Sequence, residues 1–419
     1  MNSTASDASS RRSAWALYSL LSVTFMNILG FGIVVPLLPF YGQSFHAAPW
    51  QIALIFSAYS MGSFFGEPFW GRLSDRIGRK PLLISTTAAN CLCYGALAFA
   101  PNIYFAFIIR FIGGMAAGNG SVIQGYIADI STPDERAGRM ATMGAAYNIG
   151  FILGPFMGGV LAKPSVGHLG FQIPLLVASA LGGCSSLGIA LFVRESRHPR
   201  HAHVEQASRW AVLGYAVRHP VISKLMLLTF LVGFAFTGIE STFGLWAHHR
   251  FGWAPKEVGL CFGLSGLIAA PTQFLLTGTL SRRFGESRML AVGMLGTVIA
   301  MALQPFGDGG ALTYGLMAAT ALFSSVAFPN AGALLSRVTD EHNQGQIMGL
   351  NNACGAFARF AGPSGAAAVF AGLSVDAPYI MGAMIVAPAI LLALGAGRAA
   401  LTHAPTISSF SADPAPSRR

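Results

Sequence analysis

Five charged side chains stand within otherwise apolar sequence: Glu67, Arg110, Asp129, Glu240 and Arg359. A charge at the centre of a hydrocarbon layer costs roughly 2.5–3.5 kcal/mol on insertion scales, so each marks a candidate functional position. Glu240 is the only acid well inside its apolar run. Burial disfavours the charged form of a carboxylate and a nearby cation favours it, so a group balanced between the two can load and release a proton. Arg359 can supply that balance, or it can form a buried pair with Glu240 that only fixes helix packing. Glu67 lies about one turn from the end of its run, where it can move protons or bridge to the cations that follow. Asp129 sits beside Asp134, Glu135 and Arg136 and reads as part of a surface charge network.

Around these charges lie groups suited to holding a small molecule. The amides Asn27, Asn119, Gln124, Asn148, Gln273, Asn330, Asn351 and Asn352 fall on runs expected to face a cavity, where they can orient a substrate without fixing its charge. Tyr147, with Phe25, Tyr126 and Phe234, can stack on a planar lipophilic molecule.

The elements that position these residues follow from composition. The chain has 419 residues, 53% hydrophobic and only 10% charged, where a soluble domain carries about 25% charged. Residues 13–71 contain no Lys or Arg, and residues 81–109 contain no charge at all. A run of roughly 20 apolar residues crosses a bilayer as a helix, because lipid cannot satisfy exposed backbone groups. Turn and charge clusters delimit twelve such runs, at 14–40, 50–71, 81–100, 103–129, 139–162, 171–193, 222–248, 256–279, 288–306, 311–336, 345–372 and 377–397. The expected fold is an all-α integral membrane protein of two six-helix bundles. Tails at 1–13 and 398–419 flank bundles at 14–193 and 222–397, which a polar linker, 194–221, joins.

With the N-terminus on the cytoplasmic side, 21 of the 26 Lys and Arg residues fall on that side and only Lys163, Arg250 and Lys256 on the other. The bias places both termini in the cytoplasm. The net charge of +10 therefore reflects topology rather than nucleic-acid binding. The two bundles repeat one another. At an offset of 207, GRLSDRIG (71–78) faces GTLSRRFG (278–285), Thr132 faces Thr339 and Gly138 faces Gly345, and Gly154-Pro155 faces Gly362-Pro363 one residue further on. Six spans return the chain to its starting side, so the halves are parallel repeats about an axis along the membrane normal, with a binding site expected between them.

The densest charge cluster, GRLSDRIGRKP at 71–81, joins Gly71, Asp75, Arg76, Gly78, Arg79 and Lys80. Asp75 can accept from free N–H groups at a helix N-terminus or pair with an arginine; the cations alone would suffice for topology. In GFILGPFMGG (150–159), Gly150, Gly154, Gly158 and Gly159 put small residues on one helix face, and Pro155 kinks the helix. A small face in span 8, Gly263, Gly266, Ala269 and Ala270, is expected to meet it across the halves.

Over almost its whole length the chain resembles the major facilitator superfamily. Residues 71–80 resemble its loop 2–3 signature; GFILGPFMGG, RFIGGMAAG (110–118) and GIVVPLLPF (32–40) resemble the span 5, span 4 and span 1 signatures of twelve-span drug:proton antiporters, above all the tetracycline exporters. The resemblance implies that the 71–80 cluster latches the halves together on the cytoplasmic face, that Arg110 lies near a proton path, and that the span 5 seam seals the outer side. Where tetracycline exporters carry acids in spans 1 and 9 and a histidine in span 8, this chain has Asn27, Thr297, and Ala269 with Ala270.

The expected function is secondary active transport, with proton-coupled export of a lipophilic drug or metabolite by alternating access. The alternative is a proton symporter importing a small metabolite. No cofactor or metal is implied: the five cysteines sit singly in apolar runs, and the sequence has no phosphate-cradling GxxxxGK[ST] loop. An enzyme is not expected, and the chain should work as a monomer in the inner (plasma) membrane.

Overall fold

A computed structural model describes residues 20–196, 209–339 and 344–402. The tail expected at 1–13, residues 403–419 of the tail expected at 398–419, the linker residues 197–208, and the side chains of Asp134 and Arg136 lie outside the described residues; residues 398–402 continue the last helix. The first half contains α1 (Leu20–Gln43), α2 (Pro49–Ile77), α3 (Arg79–Ala98), α4 (Ile103–Asp129), α5 (Pro133–Leu161) and α6 (Gln172–Phe192). The second contains α7 (Pro220–Phe251), α8 (Pro255–Phe284), α9 (Glu286–Leu303), α10 (Ala311–Arg337), α11 (Gln344–Gly372) and α12 (Ala377–Thr402). Ten stretches among the described residues are long and apolar enough to cross a membrane; α2 and α11, which carry Glu67 and Arg359, are not among them.

Local sequence sets the helix ends. Pro49, Pro133, Pro220 and Pro255 open their helices at the first turn, where the missing N–H costs nothing. Asn102 accepts from the amides of Tyr104 and Phe105, both at 3.1 Å, and so caps α4. The Glu257 carboxylate accepts from the Ala254 amide at 2.9 Å and closes the start of α8. Three helices are irregular within: α1 tightens to a 3₁₀ turn at Val35–Leu37, α4 is interrupted at Gly118 and Asn119, and α8 widens to a π segment at Thr272–Thr277.

Most of the 71–80 cluster is helical rather than a loop. α2 runs on to Ile77, and only Gly78 breaks the chain before α3. Gly78 takes φ 102° and Gly285 takes φ 86°, the region that favours glycine. Their amides donate to Ser74 O and Ser281 O at 3.1 and 2.9 Å. The repeat at offset 207 is therefore also a repeat of backbone geometry. The linker differs from the solvated segment expected at 194–221. Arg209–Arg218 is a helix whose Ala216 is fully buried in the core of the second half.

The buried core has three parts. One cluster holds Val122, Tyr126 and Leu82 of the first half alone, at the Gly78 end. A second holds Leu225, Leu290 and Leu334 of the second half alone, at the Gly285 end. The largest, at the opposite end, mixes the halves: Ile33, Leu37, Tyr41 and Ile55 pack in one cluster with Phe243, Trp246 and Val258. The halves are thus sealed together at the Trp246 end and keep separate cores at the Gly78 end.

Candidate functional site

The seal is built by close helix contact. A Cβ on Gly159 of α5 would stand 3.1 Å from the Cα of Gly259 on α8, and Gly266 of α8 lies against Ile152 of α5. Gly244 of α7 lies against Pro39 of α1, and Ser57 of α2 hydrogen-bonds Ser364 of α11 at 3.0 Å. The signature glycines of span 5 divide between two tasks. Gly150, Gly154 and Gly158 lie against Phe25, Gly32 and Ile33 of α1 within the first half, and only Gly159 meets α8. The α8 face that meets α5 is Gly259, Gly263 and Gly266, one turn nearer the Trp246 end than the face expected from sequence.

The charges gather between the halves. Arg359 on α11 is exposed. Glu67 of α2, Tyr147 of α5 and Glu240 of α7 all lie within its electrostatic reach. Glu67 therefore faces the α11 arginine rather than the cations that follow it in sequence. Glu240 lines a small cavity with Phe236, Phe262, Met301, Gln304, Met317 and Tyr379. The side-chain oxygen and nitrogen of Gln304 and the Tyr379 hydroxyl are buried there without hydrogen-bond partners. Among the described residues no ion pair joins Glu240 to Arg359. Glu240 is thus held near a cation but not locked to it.

The amides fall into separate groups. Asn119 is buried and donates to Thr86 at 3.0 Å; Asn330 is buried, donates to Val326 O and accepts from Ser281. Both are struts inside a bundle rather than cavity groups. Asn27 accepts from Asn90 at 3.1 Å. Gln124, Tyr147 and Asn352 are exposed, and Asn148, Gln273 and Asn351 are half-buried. Tyr147 stacks parallel to Phe151, with ring centres 6.4 Å apart.

Arg79 and Lys80 of the 71–80 cluster bond within the first half and to Glu195 at the start of the linker. Arg79 is the hub of the cluster: it pairs with Asp75 at 3.2 Å and with Asp129 at 3.3 Å, and donates to Ser74 at 2.6 Å. Asp129 therefore joins this network through Arg79 and Ser196, while Glu135 pairs with Arg139. Arg76 is exposed, and Lys80 donates to Ala190 O at 2.8 Å. Gly71 lies against Ser121. In the second half the matching helix ends are tied with the charges exchanged: Glu286 at the start of α9 pairs with Arg337 at the end of α10 at 2.8 Å.

Glu195 is absent from the sequence-based candidates. Its carboxylate oxygens accept from the backbone amides of Arg79 and Lys80 at 2.9 and 3.0 Å, capping α3 from the start of the linker. Nothing in its spacing marks it, since the partner is a helix end more than a hundred residues away.

A sequence profile of the Major Facilitator Superfamily matches residues 20–363 and 225–414. The chain belongs to the major facilitator superfamily. It is a multi-pass membrane transporter, not an enzyme. It is 27% identical over 361 residues to the Tetracycline resistance protein, class C, of Escherichia coli, covering 83% of this chain and 88% of that protein. It is 28% identical over 356 residues to Multidrug resistance protein 2 of Bacillus subtilis, covering 82% and 86%. In fold it is similar to a bacterial homolog of the human lysosomal transporter Spinster in an inward-facing, unoccupied conformation. That similarity has a TM-score of 0.75 at 16% identity, over 93% of this chain and 98% of that one.

Proposed function

We propose that this superfamily member exports a lipophilic drug or metabolite in exchange for protons, by alternating access, with both termini cytoplasmic. The observation that carries the reading is the unlocked Glu240 carboxylate beside Arg359, in a cavity of the second half. A carboxylate locked in an ion pair keeps its charge, whereas one balanced between burial and a nearby cation changes protonation with its surroundings. The cavity is apolar and aromatic with a few converging polar groups, Gln304 and Tyr379 among them, the composition of a small-molecule site. The named functions of the two relatives, tetracycline and multidrug resistance, favour export.

In this reading the Trp246 end is extracellular and the structure is the state open to the cytoplasm. The Gly159–Gly259 seam is closed, and the Asp75–Arg79–Asp129 network awaits the opposite half. Substrate enters from the cytoplasmic side and lies against Phe236, Phe262 and Met317. Closing the Gly78 end engages the 71–80 cluster across the halves and opens the seam. Protonation of Glu240 from outside then releases the substrate and returns the carrier. Glu67 and Tyr147 of the first half and Glu240 and Arg359 of the second gather within one chain, so a monomer suffices. Everted membrane vesicles test the direction. Adding a compound selected from a growth-inhibition panel should release protons from energised vesicles if the chain exports, and should not if it imports.

A further inference from the structure

We propose that a halide-sized anion binds beside Arg110, inside the first half and apart from the substrate cavity. Arg110 on α4 is only 4% exposed, and its guanidinium carbon stands 4.1 Å from the centre of the Tyr59 ring. Among the described residues no carboxylate pairs with it; the groups within its electrostatic reach are two phenols and a thiol, Tyr94, Tyr59 and Cys93. The cation is further from compensation than any ring face can make good, because a buried charge without a counter-charge is among the costliest groups a fold can hold.

The same residues line a small void. Into this region come three buried polar atoms that make no hydrogen bond of good geometry: Arg110 Nε, the Tyr94 hydroxyl and Asn90 Oδ1; the Tyr94 hydroxyl lies near both Asn90 and Tyr59 and is free to turn between them and the void. Two of the three are donors. Asn90 is tied to Asn27 by a side-chain amide bond of 3.1 Å, and turning both amides presents an N–H to the void in place of the oxygen. A halide there accepts from Arg110 and Tyr94 and supplies the missing negative charge. The void has room for little more than a water-sized group, and it shares no lining residue with the cavity of Glu240. The ligand is therefore a small inorganic anion, not the transported molecule.

The inference stands independently of the direction and substrate of transport, and its test needs no substrate. The purified full-length protein is unfolded thermally in sodium gluconate exchanged stepwise for sodium chloride or sodium bromide at constant ionic strength, with tryptophan fluorescence as the readout. A ligand that binds only the folded state raises the midpoint with its concentration. The expected result is a saturable rise of a few degrees with either halide. Arg110→Gln should lose the rise. Asn27→Asp, which builds a carboxylate in beside Asn90, should weaken the apparent halide affinity at least tenfold and serves if the first variant does not fold. A wild-type midpoint indifferent to halide, or an unchanged rise in either folded variant, would overturn the proposal.

Discussion

Gly159 of α5 and Gly259 of α8 meet backbone to backbone: a Cβ on the first would come to 3.1 Å from the Cα of the second. Small residues let membrane helices approach this closely and gain packing that larger side chains would forbid. The contact joins the two halves at the Trp246 end.

Gly159→Leu forces a side chain into that seam, where overpacking costs about 1–3 kcal/mol. The expected protein inserts and folds but leaks substrate in proteoliposomes. Gly154→Leu strikes Gly32 inside the first half instead, so it should lower the thermal midpoint more than it opens a leak. Equal, fully active behaviour of both variants would show that α5 does not carry the seam.

Asp75→Asn removes one partner of Arg79 and leaves every cation that sets topology in place. Membrane insertion should be normal and transport strongly reduced, because the cluster is proposed to engage the other half during turnover. Wild-type transport rates in this variant would reduce the cluster to a topology signal.

Glu195→Gln weakens the cap on the first amides of α3, since a charged acceptor at a helix N-terminus is stronger than a neutral one. Hydrogen exchange should accelerate at Arg79 and Lys80 and stay unchanged at Gly285, which has no part in this cap. Uniform exchange across both sites would remove Glu195 from the account.

The spans and the repeat are legible in the sequence because both are carried by local pattern: long uncharged runs, and GRLSDRIG echoed by GTLSRRFG. The echo reaches the backbone, where Gly78 and Gly285 adopt the same turn. Partners across the fold are another matter. Helical spacing puts Gly150, Gly154 and Gly158 on one face but does not say that α1, not α8, covers it. An amide in a span reads as a cavity group, yet Asn119 and Asn330 bond to neighbouring helices. The sequence makes Glu67 adjacent to Arg72, whereas the fold turns it toward Arg359. Gln304 and Tyr379 carry no signal of their own and join Glu240 only because α7, the turn that follows α9, and α12 converge.

Asp376 clamps two groups at the sealed end: it accepts from the Trp246 indole at 2.7 Å and from Arg250 at 2.8 Å. Asp376→Ala leaves the buried indole N–H unmatched, a loss of about 1–3 kcal/mol. The thermal midpoint should fall, and Asp376→Ala should cost less in a Trp246→Phe background than in the wild type, since no indole donor is then stranded. Additive losses would show that the two residues act separately.

The central claim is that Glu240 carries the coupled proton, and Glu240→Gln tests it by keeping the shape and removing the titration. Reconstituted in proteoliposomes, the variant should exchange substrate between the two sides in counterflow at near wild-type rate, and should fail to concentrate it when a proton gradient is imposed. Gradient-driven accumulation at the wild-type level by a well-folded Glu240→Gln protein would contradict the account and leave Glu67, the other carboxylate facing Arg359, as the group to test.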